Sequence, residues 1–401
     1  MHNKFKLKKN QMFKIQTLNK IDPDGLSLFP LDKYEIASEI PNPDAIVLRS
    51  FKMHDMELPA SLKAVARAGA GVNNIPISKC TEKGVVVFNT PGANANGVKE
   101  LVIAGLLLSS RDITDAVLWA KSLAGKGEEV PALVEQGKTK FAGQEIQGKT
   151  LAVIGLGAIG VLVANAANAL GMKVIGYDPY MSVKQALKLS NQVKWVEGIQ
   201  AILGQADYVT LNIPLTAETK GYINKEKFGM MKKGVRLLNF ARGGLVNISD
   251  LKDAIADGKV ARYVTDFPDD ATLQIPNVIA IPHLGASTKE SETNCAIMAV
   301  NQVREFLEEG AIKNSVNFPE ASMDRNGGTR ILIANKNIPN MVSQISNILA
   351  SENLNIDNML NKKFNDIAYN IIDLTQNNID ENVKTKLESI EGVFMVRLIQ
   401  E

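Results

Sequence analysis

Residues able to carry proton transfer and carboxylate binding sit past the ends of apolar runs: Arg242, an acid at Asp269 or Asp270, and His283. His283 follows Val278-Ile-Ala-Ile-Pro282, at the carboxyl end of an expected strand, which is where open α/β sheets place their ligands. The other histidines are His2, in a Lys-rich leader, and His54, in a polar loop. Arg242 lies in Leu237-Leu-Asn-Phe-Ala-Arg-Gly-Gly244, a two-pronged donor beside glycines that let a carboxylate approach. Asp269 and Asp270 follow Phe267-Pro268, and either could hydrogen-bond the far nitrogen of His283 and fix its tautomer. A base and a cation beside a hydride acceptor are what oxidation of a 2-hydroxy acid requires.

The acceptor is signalled by Gly155-Leu-Gly157-Ala158-Ile159-Gly160, between the apolar run Leu151–Ile154 and an Ala-rich helix. The first glycine makes the tight turn, the second admits a pyrophosphate to the backbone, and the third packs helix on strand. Asp178 ends the next strand, 18 residues beyond Gly160. An acid there accepts from the adenosine ribose and repels a 2′-phosphate, which favours NAD over NADP.

Holding these residues in place requires alternating strands and helices. Strands are expected at Phe13–Leu18, Ala45–Leu48, Leu62–Ala66 and Val85–Phe88, then at Leu151–Ile154, Lys173–Tyr177, Tyr208–Leu211, Arg236–Asn239, Arg262–Thr265 and Val278–Ile281. Long helices are expected from Gly97 and over Lys289–Leu307. Pro319 and Asn326-Gly-Gly328 mark 315–328 as a linker. Residues 329–401 read strand, helix, strand, strand, helix, strand, the ferredoxin-like βαββαβ order.

The 401 residues call for two or three domains. Lys+Arg 45 against Asp+Glu 43 argues against a nucleic-acid binder, and no apolar run approaches the ~20 residues of a membrane span. Two distant cysteines, Cys80 and Cys295, fit a reducing cytoplasm and no metal site. Residues 1–11 carry four lysines and no apolar stretch, and read as a disordered extension.

The ordered motifs LKAVARAGAGVNNI (62–75), GKTLAVIGLGAIG (148–160), NIPLTAET (212–219), LNFARGGLV (238–246) and PHLGAST (282–288) resemble the D-isomer-specific 2-hydroxyacid dehydrogenases, over residues 12–401. The resemblance implies a Rossmann-type NAD-binding domain, 97–284, inserted in a flavodoxin-like α/β substrate domain, 12–96 and 285–314. Hinges would lie near 95–100 and 284–290. It makes Arg242 the ligand of the substrate carboxylate and His283 the acid/base, with Asp270 replacing the family's glutamate as its partner. Implied cofactor contacts are Gly155, Gly157, Ala158, Ile159, Gly160, Asp178, Asn212, Pro214, Thr219, Phe240, Ala241, Gly285 and Ala286. A further cofactor-contacting acid falls on Thr265 by strict count or on Asp266 by a one-residue slip, and Asp266 is preferred.

Family members acting on 3-phosphoglycerate hold it with residues matching Arg49, Ser50, Ala70, Gly71 and Asn94, and Arg49 is the natural phosphate ligand. The implied reaction is NAD-dependent oxidation of D-3-phosphoglycerate to 3-phosphohydroxypyruvate, the first step of L-serine biosynthesis. Alternatives are another 2-keto acid, such as glyoxylate or hydroxypyruvate, or an NAD-sensing binding protein on the same fold. The C-terminal module, 329–401, resembles an ACT domain, which dimerises and binds small amino acids. Asn335, Asn337 and Asn355 match L-serine ligand positions, Asn335 standing where a histidine is usual. A homodimer or homotetramer is implied, paired through the helices around Leu101–Leu123.

Overall fold

The computed structural model describes residues 12–325 and 327–400; the leader expected to be disordered lies outside the described residues. The chain forms two units, one running to Ala93 and resuming at Glu292, the other Asn94–Ser291. The crossings therefore differ from the expected 96/97 and 284/285. The reason is local packing: a Cβ built on Gly97 would lie 2.7 Å from the Ser291 hydroxyl and 3.0 Å from the Gly285 carbonyl, so both ends of the inserted segment pack together.

In the first unit, β1 (Phe13–Leu18), β2 (Tyr34–Ala37), β3 (Ala45–Leu48), β4 (Ala64–Arg67) and β5 (Val86–Phe88) form a parallel sheet in the order β2-β1-β3-β4-β5, the flavodoxin-like arrangement. β3 is buried along its whole length, as expected for an apolar run covered on both faces.

The second unit opens with α1 (Ala95–Ser110) and α2 (Ile113–Ser122). β6 (Thr150–Ile154), β7 (Lys173–Tyr177), β8 (Lys194–Trp195), β9 (Tyr208–Leu211), β10 (Val235–Asn239), β11 (Val260–Thr265) and β12 (Val278–Ala280) form a parallel sheet ordered β12-β11-β10-β9-β6-β7-β8. Leu151 and Val153 of β6 enter one core, Ala152 and Ile154 the other. The order reverses between β6 and β9, and ligands of open sheets bind at that point. Helix α3 (Ala158–Ala169) starts there, and the short α4 (Asp270–Leu273) follows β11.

The first unit resumes with α5 (Lys289–Glu309) and ends in β13 (Arg330–Lys336), α6 (Met341–Ser351), β14 (Ile356–Phe364), β15 (Ile367–Leu374), α7 (Glu381–Glu388) and β16 (Val393–Ile399). The antiparallel order β14-β15-β13-β16 is ferredoxin-like. Both faces of this sheet are used. Ile331 and Ile333 meet the core of α6 and α7, while Leu332 and Ala334 join the core of Phe88, Phe306 and Phe318.

Residues 315–328 are accordingly no free linker. Ser315 bridges to Phe88, Phe318 is buried, and the Asn317 side chain accepts from Val87 N–H at 2.8 Å and donates to Val85 O at 2.9 Å. Three side chains of the C-terminal sheet also hold the end of α5. Arg330 donates to Glu309 O, Arg397 to Phe306 O and Leu307 O, and Tyr369 to Gly310 O. Leu307 O and Glu309 O are among the carbonyls that a helix end leaves without internal partners, while Phe306 O also accepts from Gly310 N–H.

The effector reading of Asn335 is corrected by its burial, 1% exposed. Its amide donates to Lys336 O at 2.6 Å and accepts from Asn370 at 2.8 Å, so strand neighbours occupy both ends. Asn337 and Asn355 lie at opposite ends of the sheet, beside Asp366 and Thr375. One chain does not assemble the three asparagines. Among the described residues no helix is long and apolar enough to cross a membrane.

Candidate active site

Gly155 ends β6 with φ +91°, a conformation that glycine adopts without strain. A Cβ on Gly160 would sit 1.9 Å from the Gly155 carbonyl, so the third glycine is required for packing. A Cβ on Gly157 would meet nothing within 4 Å. The middle glycine therefore borders open space, at the start of α3, where Ala158 and Ile159 occupy the first turn and no side chain caps the N–H groups. Across the switch point the buried Asn212 Nδ2 has no partner. The Asp178 carboxylate is fixed by Leu156 N–H and Tyr180 N–H, each at 2.8 Å. Thr219 closes its own loop by donating to Pro214 O at 2.6 Å. The Phe240 ring is buried against Gly105.

Arg242, Asp266 and His283 all follow the carboxyl ends of strands β10, β11 and β12. Arg242 is exposed, with one guanidinium N–H on Ala241 O and its carbonyl held by Asn239. His283 is exposed, and its ring rests on Phe267 with centroids 4.6 Å apart. Asp266 is 1% exposed, and neither carboxylate oxygen has a hydrogen-bond partner. Burial raises its carboxyl above the ordinary range, against the charge of His283, the backbone N–H groups of Gly285 and of Asp266 itself and, more weakly, the charge of Arg242. Thr265, the alternative by strict count, is buried with its hydroxyl accepting from Phe267 N–H. Gly285 backs Asp266: a Cβ there would lie 3.5 Å from Oδ2, with Ala286 beside it.

The expected Asp270–His283 pair is absent. Asp269 caps α4 by accepting from Thr272 N–H at 2.8 Å, and Asp270 accepts from Gln274 at 2.7 Å. Among the described residues no hydrogen bond joins either acid to His283. The helix start takes both carboxylates, as Asp at a cap and in a first turn prefers.

In the first unit Arg49 follows β3, Ser50 N–H donates to Asn19 Oδ1 at 3.2 Å, and Ala70 O holds Asn89 at 2.6 Å beside Gly71. Sequence reasoning missed two neighbours. Arg67 ends β4 and its Nε donates to the Arg49 backbone carbonyl at 3.0 Å; its signal was an arginine running into Ala-Gly-Ala-Gly. Glu292, in the first turn of α5, pairs with Arg49 at 2.7 Å. Asn94 belongs to the second unit, preceding α1.

Residues 114–285 match the D-isomer specific 2-hydroxyacid dehydrogenase, NAD binding domain. That segment is similar to the NAD-binding domain of this family. The chain is 34% identical over 325 residues to D-3-phosphoglycerate dehydrogenase of Methanocaldococcus jannaschii, covering 79% of this chain and 60% of the relative. It is 36% identical over 331 residues to the Bacillus subtilis protein of that name, covering 78% and 60%. The chain thus spans about 60% of the length of these relatives. The NAD⁺-bound 3-phosphoglycerate dehydrogenase of Entamoeba histolytica shares the fold with TM-score 0.60 at 24% identity, over 77% of this chain and 99% of that one. Holo D-mandelate dehydrogenase of Rhodotorula graminis does so with TM-score 0.64 at 22% identity, over 78% and 99%.

An NAD-binding domain needs a phosphate approach, a ribose acceptor and partners for the nicotinamide amide. The open side of Gly157, the fixed Asp178 carboxylate and the two unpartnered oxygens of Asp266 fit those needs.

Proposed function

We propose that this chain catalyses NAD-dependent oxidation of D-3-phosphoglycerate to 3-phosphohydroxypyruvate, the first step of L-serine biosynthesis. The observation that carries the chemistry is the gathering of Arg242, Asp266 and His283 past neighbouring strands of a sheet whose switch point holds the glycine loop. The names of the relatives support the substrate.

In this mechanism the Arg242 fork holds the substrate carboxylate and the oxygen on C2. His283, steadied by the Phe267 ring, takes the proton of the C2 hydroxyl on a ring nitrogen. When bound, a nicotinamide would supply the acceptor for the C2 hydrogen and its electron pair, which would leave C2 as a ketone. Asp266 offers two acceptors to an amide and a negative charge to the imidazolium. In the first unit, Arg49 and Arg67 are the cations whose chemistry suits a phosphate.

One observation favours a second reading. Glu292 already occupies Arg49, as suits an enzyme for unphosphorylated acids such as hydroxypyruvate or glyoxylate. NADH consumption with 3-phosphohydroxypyruvate, hydroxypyruvate and glyoxylate separates the two. Preference for the phosphorylated acid supports our reading, and preference for either of the others replaces it.

The reading places the enzyme in the cytoplasm, with Cys80 and Cys295 as free thiols. It also pairs two copies through α2, where no residue is buried and Leu118 is 68% exposed. Light scattering that returns a single chain would remove the pairing.

A further inference from the structure

Arg49 is not an open cation. Its Nη1 lies 2.7 Å from Glu292 Oε1, with the side chains 38% and 43% exposed. Both groups also act on the buried Cys295, three residues along α5 from Glu292, as does Arg67. Two arginines and one carboxylate therefore share a small volume at the ends of β3 and β4. Glu292 is the first residue after the chain crosses back into this unit. It lies in the first turn of α5, where the helix dipole stabilises its negative charge even without Arg49.

We propose that Glu292 is a specificity-determining latch that competes with phosphate for Arg49. This rests on the reading of Arg49 as the phosphate ligand. A carboxylate carries one charge. A phosphate monoester carries about −1.5 to −2 at neutral pH and presents three strong acceptor oxygens, so it displaces the carboxylate from the guanidinium fork. The displaced Glu292 keeps the favourable end of its helix. A substrate ending in a neutral hydroxymethyl displaces nothing and leaves the latch closed. Glu292 thus weakens phosphate binding by a fixed factor, and it opens Arg49 only to ligands of sufficient charge. Because the pair is exposed, the factor is modest, about two- to fivefold.

The test uses the full chain and its Glu292→Gln, Arg49→Gln and doubly substituted forms. Inorganic phosphate is the direct probe, titrated calorimetrically. The second readout is NADH-linked reduction of 3-phosphohydroxypyruvate against hydroxypyruvate. E292Q is expected to tighten phosphate about two- to fivefold and to lower KM for the phosphorylated acid by the same factor. Its KM and kcat for hydroxypyruvate stay unchanged. In the R49Q background the E292Q gain disappears.

Unchanged or weaker phosphate binding by E292Q overturns the latch, as does a gain that persists without Arg49, or no phosphate binding by any form. If E292Q tightens phosphate while the protein ignores 3-phosphohydroxypyruvate, the latch stands and the substrate reading falls. If that acid is the preferred substrate and E292Q changes nothing, the substrate reading stands and the latch falls.

Discussion

Arg330 and Asp373 form a fully buried ion pair across β13 and β15, with guanidinium nitrogens 2.6 and 2.8 Å from the two carboxylate oxygens. Two further donors of Arg330 reach Glu309 O and Asp324 O. The pair ties the C-terminal sheet to the end of α5. Removing one partner leaves an uncompensated buried charge, so Asp373→Ala should cost about 3–5 kcal/mol. Denaturant unfolding of that variant measures it.

The same packing predicts the fate of a truncated chain. Ending the protein at residue 328 removes Leu332, Ala334, Tyr369 and Ile371 from the core they share with Phe306 and Phe318. The shortened first unit should aggregate or unfold while the NAD-binding unit survives, as limited proteolysis would reveal. A soluble, folded and active truncation would show that the module is dispensable.

His283→Ala should lower kcat by roughly 10²–10⁴-fold with NADH binding retained. Asp270→Asn should change kcat by less than about threefold, because that exposed carboxylate serves Gln274. Steady-state kinetics on the pair decides which acid the site depends on; a large loss in D270N would restore it as the partner of His283.

Asp266 predicts a pH effect on the cofactor-free protein. Its folded carboxyl is held above the ordinary value, so the folded state keeps a proton that the unfolded state releases above about pH 4. Stability from this group is therefore present at low pH and is lost as pH rises through the raised value. Asp266→Asn should flatten that decline. Unfolding curves for both proteins across the acid-to-neutral range test the sign.

Two glycines of one loop should part company. Gly157→Ala adds a methyl that touches nothing, so stability should stay within about 0.5 kcal/mol while NADH affinity falls sharply. Gly160→Ala forces a carbon to 1.9 Å from the Gly155 carbonyl and should cost about 1–3 kcal/mol. Melting and NADH titration of both variants separate cofactor access from packing.

The parallel core was legible because its strands are continuous apolar runs: Ala45–Leu48 and Tyr208–Leu211 are buried throughout. β2 and β8 escaped notice, being edge strands of four and two residues with little apolar signal of their own. The positions of the glycine loop, Arg242 and His283 past strand ends were legible from the apolar runs before them. The different fates of the acids were not, because Asp266, Asp269 and Asp270 differ only in what the fold does to them: one is buried, and two are engaged at a short helix. The glycines of 315–328 suggested slack chain, yet Asn317 and Phe318 hold it to β5 and the core. Glu292 could not be picked out, since an acid in a first helical turn is ordinary until an arginine from a distant strand meets it.

The grip of Arg330, Tyr369 and Arg397 on the end of α5 gives that helix the mechanics of a lever. Seventeen residues separate Glu292 from Glu309, about 25 Å along the axis at 1.5 Å per residue. A tilt of about 2° at the gripped end swings Glu292 by roughly 1 Å, enough to part a 2.7 Å contact with Arg49. Whatever leans on the C-terminal sheet therefore works in series with the cation at the far end of the rod.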